Sequence, residues 1–242
     1  MKLRVINPNT TAEMTKGIGA AARAVAAVGT EIEAVTSQSG PVSIEGYYDE
    51  ALCLPGLLRE IAVGEAAGVD AHIIACFDDT GLDAARQFAN APVIGIGEAA
   101  AHAATLIAHR FTVVTTLSRS IPALEANLLK YGFDRRSRVR AADVPVLDLE
   151  KVGSDARQRI DDEIRRAIAD DRAEAIVLGC AGMARLAASL SATHGIPVID
   201  GVGAAVKLAE MLVTLGLKTS KIGGYQRGEP KRLTGPISDL MR

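Results

Sequence analysis

The chain has no tryptophan, and its 242 residues hold only four phenylalanines and four tyrosines. So little aromatic surface offers no stacking platform of the kind that holds single-stranded nucleic acid. Neither sign of charge is in excess: 27 basic against 29 acidic side chains leave a formal net charge of −2. That balance removes the electrostatic case for nucleic acid or an anionic membrane surface as partner. No apolar run approaches the ~20 residues of a membrane span. MKLRVINPNT enters a strand pattern without the apolar core of a secretion signal. Three cysteines cannot all pair, and a chain this large needs no disulfide staples, so a reduced, cytoplasmic protein is expected.

Other chemistries are missing as well. His72, His102, His109 and His194 show no metal-ligand spacing with cysteine or with one another. No serine occupies a nucleophile elbow, and no Walker-type loop is present. Gly95-Ile96-Gly97-Glu98-Ala99-Ala100 imitates a dinucleotide fingerprint, but it does not follow a first strand and lacks the acidic residue expected about 20 positions on. With Gly201 and Gly203 it reads better as close helix–sheet packing. No cofactor and no metal are expected.

What the chain does have is alanine-rich helical stretches between short Val/Ile/Leu runs. The patterning predicts strands at Leu3–Ile6, Glu31–Val35, His72–Ala75 and Val93–Ile94, with helices at Thr11–Val28, Tyr48–Ala67 and Leu82–Phe88. Ser37–Gly46, rich in Ser, Gly and Pro, reads as a long loop. The cycle restarts with strands at Phe111–Thr115, Arg138–Ala142, Ala175–Leu178 and Val198–Ile199. Its helices fall at Ile121–Tyr131, Ala156–Asp170, Met183–Ser191 and Gly203–Leu215. The charged run Asp155–Arg172 is a solvated helix face. Such alternation implies an α/β fold with parallel sheets and right-handed crossovers.

The chain also repeats itself. Lys2–Asn7 lies over Arg110–Thr115, Asp70–Cys76 over Glu174–Cys180, and Pro92–Ile94 over Pro197–Ile199. Shared apolar strands would explain the runs but not a cysteine ending both members of the second pair. The expectation is two pseudo-symmetric lobes, each a parallel sheet flanked by helices, with the active site in the cleft between them. The first lobe comprises 1–98 plus 207–242 and the second 99–206, with a hinge near Ala99–Arg110.

Cys76 and Cys180 each follow a buried strand and precede a helix, the carboxyl-end position where α/β proteins place ligands. A helix N-terminus there would favour the thiolate. If the lobes face each other, one carbon held between the sulfurs can lose a proton to one thiolate and regain it from the opposite thiol. Taken singly, either cysteine is more often a small buried hydrophobe; Cys53 has no counterpart and reads as core. Asn7, Asn9, Thr115, Thr116 and Ser118 sit at the ends of the two equivalent first strands, where they can bind a polar ring or simply form caps and turns. Asp78 and Asp79 can accept a ring N–H or cap a helix, and their charge opposes a nearby thiolate. Tyr47 and Tyr48 read equally as a lid or as surface anchors.

These residues resemble a known family. Ile6–Thr10, Gly40–Gly46, Ala75–Leu82, Leu178–Met183 and Asp200–Gly201 with Ala204–Lys207 look like the corresponding segments of hydantoin and allantoin racemases, within the aspartate/glutamate/hydantoin racemase superfamily. The resemblance spans nearly the whole chain. It implies a cofactor-independent two-cysteine racemase, acting on a cyclic ureide and working as a homo-oligomer (dimer, tetramer or hexamer). It also places Ser43, Ile44, Phe77, Ala181, Gly182 and Met183 in the substrate shell. Asp78 and Thr80 stand where glycine and proline are expected. The neighbours Phe77-Asp78 and Ala181-Gly182 differ from the Asn-Thr and Thr-His of free amino-acid racemases, which argues against a free amino acid; a 5-substituted hydantoin leads because nothing in the sequence demands the ureido tail, with allantoin as the alternative. An aspartate/glutamate-type racemase, a maleate-type cis–trans isomerase and a non-catalytic two-lobed binding protein are the remaining readings.

Overall fold

The computed structural model describes residues 1–151, 153–229, 231, 232, 234 and 238. Among them, eight strands form two four-stranded sheets with every pairing parallel. The first sheet takes β1 (Lys2–Asn7), β2 (Glu31–Thr36), β3 (Ala71–Ile74) and β4 (Val93–Gly95) in the order β2-β1-β3-β4. The second takes β5 (Phe111–Thr115), β6 (Ser137–Ala141), β7 (Ala175–Gly179) and β8 (Val198–Asp200) in the order β6-β5-β7-β8. Both sheets therefore have the same order. Leu3 pairs with Ala71 as Phe111 pairs with Ala175, so the repeat extends to register.

Helices α1 (Ala12–Val25), α2 (Tyr47–Ala66), α3 (Leu82–Phe88) and α4 (Ile96–Ile107) follow the first four strands. The second half adds α5 (Ile121–Lys130), α6 (Ala156–Asp170), α7 (Ala187–His194) and α8 (Gly201–Thr214). One core joins the halves: Leu3, Val5 and Ile73 of the first sheet and Val113 and Val177 of the second share a cluster with α4 and α8. Ala99, Ala100, Ala104, Ala205 and Ala209 are fully buried there. Small side chains let the two helices come close, and a Cβ on Gly201 would lie 2.5 Å from the Ile96 carbonyl oxygen. Two further clusters fill the outer faces, one around Ile6, Leu57 and Ile74, the other around Ile160, Ile164 and Ile176. Each fully buried side chain of this size contributes roughly 1.5–3 kcal/mol.

In the stretch Ala99–Arg110, where a hinge is expected, α4 occupies most of the chain and is buried against α8 and β7. One expectation needs correction. The helix expected at Met183–Ser191 is instead a 3-10 segment, Ala181–Leu186, followed by α7. Met183 is wholly buried among the outer residues of the second half, and its N–H reaches back to the Cys180 carbonyl at 3.0 Å, which tightens the turn.

Candidate active site

The four central strands point their carboxyl ends at one narrow cleft. β1 brings Pro8 and Asn9, and the segment after β3 brings Ala75, Cys76, Phe77 and Asp78. β5 ends in Thr115 and Thr116, and β7 in Gly179, Cys180 and Ala181. The walls are completed by Met14 of α1, Ile44 of the long loop, and Ser120 and Val146 of the second half. Cys76 and Cys180 thus line the same cleft from different sheets.

Packing fixes both sulfurs. A Cβ at Gly179 would lie 2.8 Å from Thr115 Cα, so only glycine lets β7 reach this end beside β5. The Thr115 hydroxyl donates to the Gly179 carbonyl at 3.0 Å, spending its proton on the strand that carries Cys180. Cys76 Sγ lies 3.6 Å from Thr80 Oγ1. Burial pushes the Cys76 thiol well above its ordinary range, the Asp78 carboxylate pushes it further, and Thr80 opposes both. The Asp78 backbone N–H also opposes the rise, and the chain then turns through Asp79, at φ 51°, before α3 begins at Leu82. The expected helix is present at Leu82–Phe88, with its first residue six positions after Cys76. Cys180 precedes only the short 3-10 segment. Cys53 is fully buried, donates to the Glu50 carbonyl at 3.2 Å and is pushed up to about 12, chiefly by burial.

Several expected shell residues lie elsewhere. Asn7 is fully buried behind the cleft, donating to Asn9 Oδ1, the Thr11 carbonyl and Thr15 Oγ1. Asn9 lines the cleft, and its Oδ1 also accepts the Thr11 N–H at the start of α1. Asp79 faces away: it accepts the N–H groups of Gly97 at 3.0 Å and Glu98 at 2.7 Å, capping α4, and the Tyr131 hydroxyl at 2.7 Å. Ser118 is exposed and tied to Asp143, while Ser120, missed in the sequence, takes the place at the wall. Ser43, Gly182 and Met183 are outside the lining; Gly182 packs on Leu149. Tyr47 and Tyr48 are 62% and 77% exposed and also lie outside it.

The cleft's mouth is clasped across the halves. Glu45, beside Ile44, accepts the Val146 N–H at 3.1 Å and pairs with the Arg119 guanidinium, which also donates to the Glu45 carbonyl at 2.7 Å. The Thr11 hydroxyl holds the same loop through the Val42 carbonyl at 2.7 Å. Among the described residues no group of three or more His, Cys, Asp or Glu side chains is arranged to hold a metal ion, and no helix is long and apolar enough to cross a membrane.

Comparison with known proteins gives consistent results. A sequence model described as Asp/Glu/Hydantoin racemase matches residues 3–209. A hydantoin racemase of Pseudomonas sp. (strain NS671) is 48% identical, covering 100% of this chain and 98% of the relative. One from Rhizobium meliloti is 50% identical over 97% and 98% of the respective chains. The solved structure of an allantoin racemase from Klebsiella pneumoniae superposes with a TM-score of 0.96 at 51% identity, covering 99% of this chain and 98% of that one.

Proposed function

The chain belongs to the Asp/Glu/hydantoin racemase family, a family of isomerases, and from that premise we propose that it racemises 5-substituted hydantoins without a cofactor, Cys76 and Cys180 serving as the two bases. The observation that carries this reading is that two cysteines in equivalent positions of the repeat line one cleft from different sheets. The C5 hydrogen of a hydantoin is acidified by the adjacent ring carbonyl. A thiolate on one face takes that proton, the electron pair passes onto the carbonyl oxygen, and the thiol on the other face returns a proton to C5. Configuration inverts, and thiolate and thiol have exchanged places. Asn9, Thr116 and Ser120 supply hydrogen-bonding edges for the ring's imide groups. The protein works in the cytoplasm as a homo-oligomer.

Allantoin carries the same ring, and the similarity to an allantoin racemase structure makes it the second substrate to test. Single enantiomers of a 5-alkylhydantoin, allantoin and aspartate are incubated with the enzyme and followed by polarimetry. Loss of rotation is expected with the hydantoin and none with aspartate. Decay with allantoin alone reassigns the substrate, and decay with none overturns the reading.

A further inference from the structure

The two halves cap equivalent helices differently. Gly95, the last residue of β4, pairs with Ile74 as Asp200, the last residue of β8, pairs with Leu178, so the repeat makes them counterparts. Asp200 caps the helix that follows it, its carboxylate accepting the N–H groups of Val202 at 2.9 Å and Gly203 at 2.7 Å. Gly95 has no side chain for that task. At α4 the equivalent N–H groups, those of Gly97 and Glu98, go instead to Asp79, at 3.0 and 2.7 Å. A Cβ on Gly95 would collide with Asp79 Oδ1, and one on Gly97 with the Phe77 carbonyl oxygen. The glycines that imitate a dinucleotide fingerprint thus make room for the turn after Cys76. That turn is closed by the Asp79 N–H on the Cys76 carbonyl at 3.1 Å, and the next residue, Thr80, lies 3.6 Å from Cys76 Sγ. From the second half the Tyr131 hydroxyl donates to Asp79 Oδ2 and Asn127 Nδ2 to the Asp78 carbonyl, both at 2.7 Å.

We propose that Asp79 is a positioning residue for Cys76: by supplying α4 with the cap that Gly95 lacks, it fastens the turn carrying the sulfur to a helix of the shared core. The inference rests on the reading of Cys76 as a proton-transfer group. Asp79 holds φ 51°, a conformation that side-chain-bearing residues seldom adopt, and three hydrogen bonds to its carboxylate keep it there. The device is one-sided. α8 takes its cap from its own strand end, independently of the Cys180 turn.

Moving the cap separates this role from plain helix stabilisation. Asp79→Gly suits φ 51° and removes cap and tether together. Adding Gly95→Asp restores a cap of the Asp200 type, since Gly95 and Asp200 share an extended backbone and the nearest obstacle to a Cβ on Gly95 is the Asp79 carboxyl itself. The tether stays cut. Melting temperature is read beside C5 proton exchange in D2O, with Cys180→Ser leaving Cys76 as the base and Cys76→Ser leaving Cys180. Asp79→Gly is expected to melt earlier and to slow exchange by Cys76 roughly 10–100-fold, with exchange by Cys180 nearly unchanged. Adding Gly95→Asp recovers the melting temperature but not the exchange. Exchange that recovers with the melting temperature, or equal losses at both thiols, overturns the proposal. Amide hydrogen exchange needs no substrate. Tyr131→Phe leaves the turn's own chain intact and is expected to speed exchange at the Asp79 N–H roughly tenfold relative to Met183, whose N–H closes the turn after Cys180. Unchanged protection overturns the proposal. No C5 exchange by either Cys→Ser parent, with protection lost in Tyr131→Phe, refutes the racemase reading and leaves the tether standing.

Discussion

Asp78 and Asp79 are neighbours in the chain, and burial is the first cause that pushes each from an ordinary 3.8 up to about 7. Their folded-state affinity for protons exceeds that of the unfolded chain. The stability they contribute is therefore complete below a pH of about 4 and is lost as pH rises through 7. Replacing Asp78 by Asn removes its share, so the melting temperature of the variant falls less steeply than wild type between these limits; superimposable profiles would contradict the assignment. Asn7 and Thr116 separate structure from binding in the same manner. Asn7→Ala strips a buried turn of its donors at a cost of about 1–3 kcal/mol in thermal or urea unfolding, with KM unchanged within a few-fold. Thr116→Ala removes a hydroxyl from the cleft wall and changes KM or kcat by roughly 2–10-fold, with little loss of stability. The reverse pattern would exchange the two roles.

Among elements, the long loop before α2 bears on the cleft, because Ile44 lines it and the next residue, Glu45, is held by Arg119 and Val146. Glu45→Ala releases the two side-chain contacts to the other half, from Arg119 and from the Val146 N–H, and KM for the cyclic ureide is expected to rise roughly 2–10-fold, each lost hydrogen bond costing about 0.5–1.5 kcal/mol. An unaltered KM would show that the clasp does not shape the bound state. Such a clasp was not legible in the sequence, since Glu45 and Val146 are distant in the chain and neither belongs to a periodic pattern. The strands were legible: β5 and the helices α3 and α6 lie where the apolar patterning puts them, and the repeat predicted matching sheets. Local patterning failed after Cys180, where burial of Met183 favours a 3-10 turn over the start of an α-helix. It failed for Asp79 too, whose partners Gly97, Glu98 and Tyr131 come from two later helical regions. Strand-end placement found Asn9, Thr115 and Thr116 at the cleft, whereas Ser120 required the tertiary fold.

At the scale of the whole molecule, two halves of the same sheet order share one alanine-rich core through α4 and α8, and that arrangement turns equivalent strand ends toward a common cleft. Two equivalent thiols on two sheets are the structural condition for removing a proton from one face of a carbon and supplying it to the other. Isotope exchange reads the two faces separately. In D2O, Cys76→Ser and Cys180→Ser are each expected to lose net racemisation by at least ~10²–10⁴-fold, the scale of a removed general acid or base. Each nevertheless keeps one base, and so exchanges the C5 proton of one hydantoin enantiomer with retention. The two variants should favour opposite enantiomers, while Cys53→Ser, whose thiol is buried outside the cleft, racemises within a few-fold of wild type. Exchange of the same enantiomer by both variants, or normal racemisation by either, would contradict the paired-cysteine account.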